Sequence, residues 1–414
     1  MKNTTRSFRL ACAEDQIPDV EALLRAEGFC FEPEPFFSLA RTLTAEPMPL
    51  GRSIAARFGY IYIQDKSSML PPLALAPKPG DRVLDMCASP GSKTGILSRM
   101  VGPNGLVLAN EPSPDRLATL RVNMRHLGCL NVATCKYEAQ NLPLDQDSWP
   151  LILLDAPCSG WGTVEKNPKA AQMWAGEKTA PLEELQRELL TKAAELLAPG
   201  GRLLYSTCTT NVRENEDQVR FAMDHLGLSP SPLPEFASFS FAPSLPGCLL
   251  VDGEGSAAQG FFLAGLTKPG TQGDVERSEG RELPGATITR QQFFARAGLD
   301  TSWLPEHSFL CVGGRVYLIF EQARKLPGEL RWQGFAVGKT AGDSVLADAT
   351  LRMFVPPVPD ENSLVLENVR DIGALLSGQS LAWKGEARRR AFYYRSLPLG
   401  FLTVKGNRCL WSDR

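Results

Sequence analysis

The chain has 414 residues, 44 Lys and Arg against 46 Asp and Glu, a formal charge of −2 and 43% hydrophobic residues. That length exceeds one small core, so a main domain of about 200 residues with smaller additions is expected. The near-neutral total excludes a uniformly basic polyanion binder, and the lack of any apolar run near the roughly 20 residues of a membrane helix excludes a spanning segment.

The charge is unevenly spread. Residues 290–414 hold 17 Lys and Arg against 12 Asp and Glu, so a basic tail follows an acidic body. The opening MKNTTRSFRL has no apolar core of a signal peptide, and a cytoplasmic protein is expected. The ten cysteines are scattered singly, with no CxxC and no pairing with the three histidines. Neither a zinc site nor a disulfide framework is indicated, and reduced thiols are expected.

Residues 1–66 read as a small helical cap, with helical spacing over 20–26 and Phe29, Phe31, Phe36, Phe37 and Leu39 as anchors. Pro33, Pro35, Pro47 and Pro49 break it into short pieces. The run GYIYIQDKSSMLPPLAL is strand-like at first. Its polar residues Gln64, Asp65, Ser67 and Ser68 either bind something or cap the next helix.

From Asp81 a regular alternation begins. Strands are expected at 82–86, 106–110, 131–136, 151–154 and 202–206, with helices at 93–101, 114–127, 181–197 and 214–225. Two further strands near 248–251 and 260–266 complete the set. The pattern predicts an α/β domain over 67–267, a parallel sheet with helices on both faces. KPGTQGDVERSEGRELPG, within 268–289, is charged and glycine-rich and reads as a linker. Residues 290–414 form an α+β region with helix ITRQQFFARAGL, the β-like run RVYLIF and a final series of short strands.

Three motifs sit where a buried strand gives way to a loop, the place where an open α/β sheet assembles its site. The first strand ends in Asp85 and runs into CASPGSK, which brings Gly91 to a helix start so that backbone N–H groups can approach a ligand. The spacing is not that of a phosphate loop. Glu111 follows about 20 residues later, where a carboxylate either accepts from both ribose hydroxyls of a nucleoside cofactor or serves the next helix start. DAPCSG places Asp155 at a strand end and Cys158 in a stiff proline turn, and LLYSTCT repeats the arrangement with Cys208. A lone cysteine is usually a buried structural one. Two at matching strand tips, fifty residues apart, are expected to face one crevice.

One reaction that uses two such thiols beside a nucleoside cofactor is methylation of carbon 5 of a cytosine. That carbon is a poor nucleophile until a thiolate adds to carbon 6. QDKSSMLPPLAL, DMCASPGSKT, ANE with the following Arg116, DAPCSG, the QRELL helix and PGGRLLYSTCTTNVRENE together resemble the Nop2/Sun-type RNA 5-methylcytosine methyltransferases, over about half the chain. KNPKAAQMW after DAPCSG and the basic extension are most similar to the bacterial small-subunit rRNA branch.

The resemblance implies a Rossmann-like, class I S-adenosylmethionine-dependent methyltransferase sheet with a C-terminal PUA-like RNA-binding module. It makes Cys208 the nucleophile and Cys158 the residue that assists release. Cys87, Ala88, Ser89, Pro90, Gly91, Ser92 and Lys93 would hold the methionine and ribose portion of S-adenosylmethionine, later S-adenosylhomocysteine. Glu111 would hold the ribose hydroxyls beside Arg116, and Asp155 would lie between cofactor and base, on the ring nitrogen. Lys93 would contact the base or its phosphate, or else stand exposed. Glu138 in KYEAQ stands where the family has an Asp against adenine. CASPG replaces the more usual CAAPG, and the loop before the GFF strand carries Asp252 and Glu254 where relatives often have a basic or histidine- and proline-containing stretch. No metal is implied.

Arg388, Arg389 and Arg390, followed by Phe392, Tyr393, Tyr394 and Arg395, interleave cations with rings that stack on bases or grip phosphates; the alternative is a solvated face followed by a core strand. The expected partner is RNA, with rRNA favoured, either free or within an assembled ribosomal subunit; no membrane partner is expected, and the protein is expected to act as a monomer. A tRNA cytosine-5 methyltransferase and a non-catalytic ribosome-assembly factor are the alternatives. Reversed thiol roles are a further one, since DNA cytosine-5 methyltransferases carry their nucleophile in a PC dipeptide like Pro157-Cys158. An amino-methyltransferase would present an NPPY-like turn where this chain has DAPC.

Overall fold

The computed structural model describes residues 6–163, 176–271, 285–383 and 389–411. Five apolar strands, Arg82–Asp85, Leu106–Asn110, Val132–Cys135, Trp149–Asp155 and Leu197–Thr207, pair in parallel. Their side chains alternate between two cores, as the two-residue period of a strand requires. Leu84, Leu108, Ile152, Leu154, Leu203 and Tyr205 pack with the helices Ala180–Leu196 and Glu216–His225. Val83, Val107, Ala109, Leu151, Leu153 and Leu204 pack on the opposite face with Ser92–Val101 and Pro114–Leu127. The last helix shows how locally this is written: Leu117, Leu120, Met124 and Leu127 form one buried stripe, Pro114 opens it and Gly128, at φ 73°, ends it.

From Arg82–Asp85 the chain builds outward through Leu106–Asn110 to Val132–Cys135, then returns to the other side with Trp149–Asp155 and Leu197–Thr207. The reversal opens a crevice at the carboxyl ends of the two central strands. The sheet is mixed at its margins. Phe261–Thr267, Cys248–Val251 and Phe241–Ala242 extend one edge antiparallel, and Trp332–Gln333 from the C-terminal region pairs with Val132–Cys135 at the other.

The N-terminal segment corrects the expectation of a helical cap. It is a four-stranded antiparallel sheet in the order Cys30–Pro33, Ala40–Ala45, Ser7–Leu10, Ile61–Ile63, carrying the helices Ile17–Ala26 and Ile54–Arg57. Each strand has only three to six residues, and Ser7–Leu10 finds partners more than thirty residues away, so no local periodicity announces it.

The C-terminal region holds two five-stranded sheets. One contains His307–Val312, Arg315–Phe320 and Phe335–Ala341; the other contains Arg389–Tyr394 and Leu397–Lys405. The second shares a core with the N-terminal sheet, where Phe392, Leu397 and Trp411 meet Phe8, Phe58 and Tyr60. Arg352 ties three parts together: its Nη2 donates to the carbonyls of Ala11, Gly59 and Leu127 at 3.1–3.2 Å, and its guanidinium lies 4.2 Å from the Tyr60 ring centroid.

That shared core overturns the RNA-facing reading of the arginine and tyrosine cluster. Arg390, Tyr393 and Tyr394 are only 2%, 0% and 1% exposed. Arg389 donates to the Ala347 carbonyl at 3.4 Å and lies over Phe401, while exposed Arg395 pairs with Asp19 at 3.6 Å. Strand alternation sends these residues into two cores, since Tyr393 and Phe401 belong to one and Phe392 and Tyr394 to the other. Arg388, KNPKAAQMW and most of the expected linker lie outside the described residues. Among the described residues no helix is long and apolar enough to cross a membrane.

Candidate active site

Asp155 and Ser206 are register partners on adjacent parallel strands. Cys158 follows the first by three residues and Cys208 follows the second by two, so both thiols leave neighbouring strand ends into one crevice. Their sulfurs lie 3.1 Å apart, and the backbone N–H of Cys208 donates to Cys158 Sγ at 3.3 Å. A thiol hydrogen bond from Cys158 pulls the Cys208 thiol below its ordinary range and pushes Cys158 above it. Burial and then the Asp155 carboxylate oppose the first shift, burial adds to the second, and the Lys93 ammonium favours a Cys208 thiolate by less than Asp155 disfavours it. Of the two, Cys208 is the sulfur whose surroundings favour the thiolate. Gly162 crosses directly behind it, donating to the Cys208 carbonyl at 3.0 Å, and a Cβ there would come within 2.9 Å of that oxygen.

Lys93 is not a surface residue. The helix Ser92–Val101 starts from Gly91, whose φ is 102° and whose added Cβ would lie 2.6 Å from the Met124 methyl carbon. Lys93 leaves its first turn with a side chain 9% exposed, donates to Asp155 Oδ2 at 2.7 Å and to Ser68 Oγ at 3.4 Å, and stands 5.2 Å from the Phe261 ring centroid. Asp155 Oδ1 accepts the Ser206 hydroxyl at 2.8 Å. Beside the thiols there is thus an ammonium donor next to a carboxylate acceptor. Of the earlier polar run, Asp65 caps the turn through Ser67 N and Oγ and also accepts Gln259 N, and Gln64 accepts Arg9 Nε. Ser68 reaches the site through Lys93.

On the other side of the glycine turn, Cys87 and Ala88 lead into Ser89 and Pro90, pinned by the neighbouring helix. Ser89 Oγ donates to the Arg116 carbonyl at 3.0 Å, Arg116 Nη2 returns a bond to the Ser89 carbonyl at 3.2 Å, and Asn123 donates to the Pro90 carbonyl at 2.8 Å. Buried Glu111 accepts Ser113 N at 3.0 Å on one oxygen and faces Arg116 at 3.4 Å on the other. Part of it therefore does serve the helix start. Glu138 is exposed just beyond Val132–Cys135.

Asp85 Oδ2 accepts the Thr94 hydroxyl at 2.7 Å, while its buried Oδ1 has no hydrogen-bond partner among the described residues. Burial pushes the Asp85 carboxyl up to about 7, against the Thr94 bond and helped by Asp155. Burial also raises the Cys87 thiol, and then Asp85, Asp155 and Glu111 raise it further, so three carboxylates act on one small volume. Carboxylates around this turn suit a ligand that carries ammonium and sulfonium charge and ribose hydroxyls. S-adenosylmethionine is such a ligand. Asp85, Asn110 and Ser206 join the site through contacts that no motif spells out. Asn110, which bonds Met86 O, Tyr137 O and Tyr137 N, lies inside the quoted ANE, but only its contacts across two loops disclose its role.

The chain is similar to known proteins over this same region. A family described as 16S rRNA methyltransferase RsmB/F matches residues 72–266. The ribosomal RNA small subunit methyltransferase F of Shewanella sediminis is 32% identical over 360 residues, covering 80% of this chain and 73% of that protein. Its counterpart from Shewanella loihica is 36% identical over 276 residues, and there the chain spans 56% of the relative's length. Among solved structures, a methyltransferase homolog from Pyrococcus horikoshii is 32% identical with a TM-score of 0.54, over 64% of this chain and 86% of that one. NSun6 from the same organism, 22% identical with a TM-score of 0.57 over 64% and 91% of the two chains, shares the fold.

Proposed function

Because the chain belongs to the 16S rRNA methyltransferase RsmB/F family, we propose that it methylates carbon 5 of a cytosine in small-subunit rRNA through a covalent bond to Cys208. S-adenosylmethionine, held by residues 87–93, by Glu111 with Arg116 and by Asp155, supplies an electrophilic methyl group when bound. Cys208 acts first: its thiolate adds to carbon 6, a sulfur–carbon bond forms, and the ring electron pair moves toward carbon 5 and N3. Lys93 and Asp155 offer a donor beside an acceptor, matching the N3 acceptor beside the N4 amino donor of cytosine.

After methylation the proton on carbon 5 passes to a base, the electron pair it leaves restores the carbon 5–carbon 6 double bond, and the carbon 6–sulfur bond breaks to return Cys208 as its thiolate. Cys158, once it has given up its own proton to solvent, is the group at hand to take that proton. The single observation that carries this reading is the 3.1 Å between the two sulfurs in the crevice that also holds the Lys93–Asp155 pair. A base must leave its stack to enter, so a loop, bulge or open rRNA segment is the substrate form. The basic balance of residues 290–414 favours an RNA contact there, although not through Tyr393 or Tyr394.

The test uses the full chain, S-adenosylmethionine and small-subunit rRNA. Cys208→Ala loses methylation while remaining folded, and Cys158→Ala accumulates a protein–RNA adduct on a denaturing gel. An adduct from the Cys208 variant instead reverses the roles, and full activity in both variants overturns the chemistry. A bisulfite map of total RNA from a strain lacking the gene locates the missing methyl group in rRNA; loss from tRNA overturns the substrate.

A further inference from the structure

Beyond the last strand pairs, no sheet ladder holds the two cysteine loops, yet their sulfurs stand in contact. What braces them is a buried carboxylate that touches neither the cofactor cradle nor the Lys93–Asp155 pair. Glu214 has no exposed surface. Its Oε2 accepts Ser159 N at 2.8 Å and Gln186 Nε2 at 3.1 Å, and its Oε1 accepts Ser159 Oγ at 2.5 Å and Asn211 Nδ2 at 3.0 Å. Gln186 also donates to the Pro157 carbonyl at 2.9 Å, so Cys158 is gripped from both sides.

The same brace reaches the other loop. Ser159 Oγ lies 2.8 Å from Thr209 Oγ1, and Tyr205 OH donates to the Glu214 carbonyl at 2.6 Å. The next residue, Asn215, accepts the Thr207 hydroxyl at 2.5 Å and donates to the Thr209 carbonyl at 3.0 Å, bracketing Cys208 in turn. All these donors to the carboxylate are neutral, so no ion pair among these contacts offsets its burial. Burying a carboxylate on neutral donors is worthwhile where several of them must be fixed at once. We propose that Glu214, seconded by Asn215, is a positioning residue that sets the separation of the Cys208 and Cys158 sulfurs, so that one attacks and the other releases the same base. This rests on the two-thiol reading above.

Glu214→Gln keeps the volume but turns an amide NH₂ toward donors on whichever side it occupies. The expected result is a fall in kcat of about 10- to 100-fold, as for a small misplacement of reacting groups. The Kd for S-adenosylmethionine should stay within about twofold, because the cradle is untouched. Diamide provides a readout that needs no RNA: it takes two electrons and two protons from the thiols as the Cys158–Cys208 disulfide closes. That closing rate should fall at least about tenfold in the variant. Ser159→Ala, which keeps the Ser159 N–H bond and loses the hydroxyl link to Thr209, should lower both rates by about three- to tenfold, and it decides the matter if Glu214→Gln does not fold. Unchanged closing and turnover, or a cofactor Kd that rises in step with the loss of kcat, overturns the proposal. Full activity of Cys208→Ala would sink the two-thiol reading instead, while the diamide rate would still report whether Glu214 sets the separation.

Discussion

Asp85→Asn isolates the electrostatic cost of burying a carboxyl beside the glycine turn. Asp85 is buried at the end of the first central strand, with one oxygen on Thr94 and the other without a partner among the described residues. Its carboxyl is raised to about 7, chiefly by burial, whereas in the unfolded chain it titrates near about 3.9. The folded state therefore holds a proton that the unfolded state has already lost at pH 5. The stability due to that proton is complete at low pH and is lost as pH rises through about 7. At 1.36 kcal/mol per unit, the wild type should lose about 2–3 kcal/mol relative to Asp85→Asn between about pH 5 and pH 8. Asparagine keeps the Thr94 bond and adds a buried donor, but that penalty is constant with pH. Urea denaturation of both proteins without cofactor, followed by the tryptophan fluorescence to which Trp149 in the adjoining core contributes, gives the difference directly. A stability difference that stays flat within about 0.5 kcal/mol over that range would refute the reasoning, because an Asp85 ionised in the folded state throughout carries no such slope.

Other perturbations test other parts. Glu111→Ala removes a buried carboxylate expected to hold both ribose hydroxyls and should raise the S-adenosylmethionine Kd about 10- to 100-fold by calorimetry, with diamide closure of the two thiols unchanged. Arg352→Ala strips three carbonyls of a donor and Tyr60 of its cation, and should cost about 3 kcal/mol by denaturation; a loss below about 0.5 kcal/mol would mean that the arginine does not join the N-terminal sheet to the rest. Tyr393→Phe loses the bond to the Pro356 carbonyl and the hydroxyl contact with Ser363, about 1–2 kcal/mol, and should leave rRNA affinity in a filter-binding assay unchanged. A clear drop in affinity would restore the RNA-facing role that its burial denies.

Much of the central domain is legible along the chain. The alternation of Val83 and Leu84, or Leu153 and Leu154, between two faces, the stripe Leu117, Leu120, Met124 and Leu127, and the closing Gly128 are local patterns whose periods match the elements they form. The strand-to-loop motifs likewise mark Cys158, Cys208, Asp155 and the turn at Gly91 as residues of one crevice, since parallel strands deliver their ends together. The N-terminal sheet was not legible, because Ser7–Leu10 is four residues long and acquires its identity from partners at Arg41 and Tyr62.

Only tertiary structure decided which charges and rings face inward. Arg390 and Tyr393 have the composition of an RNA patch, and they are core residues because Arg389–Tyr394 lies between two other strands with apolar material on both faces. Glu214 reads in sequence as the first residue of an expected helix, yet its carboxylate bonds the loops of both thiols. Composition, motif spacing and local period determined the elements and the chemistry their ends can present. Burial, the partner of each carboxylate and the distance between two sulfurs were settled by long-range packing, because a side chain's solvation and field depend on neighbours that the chain brings in from tens to hundreds of residues away.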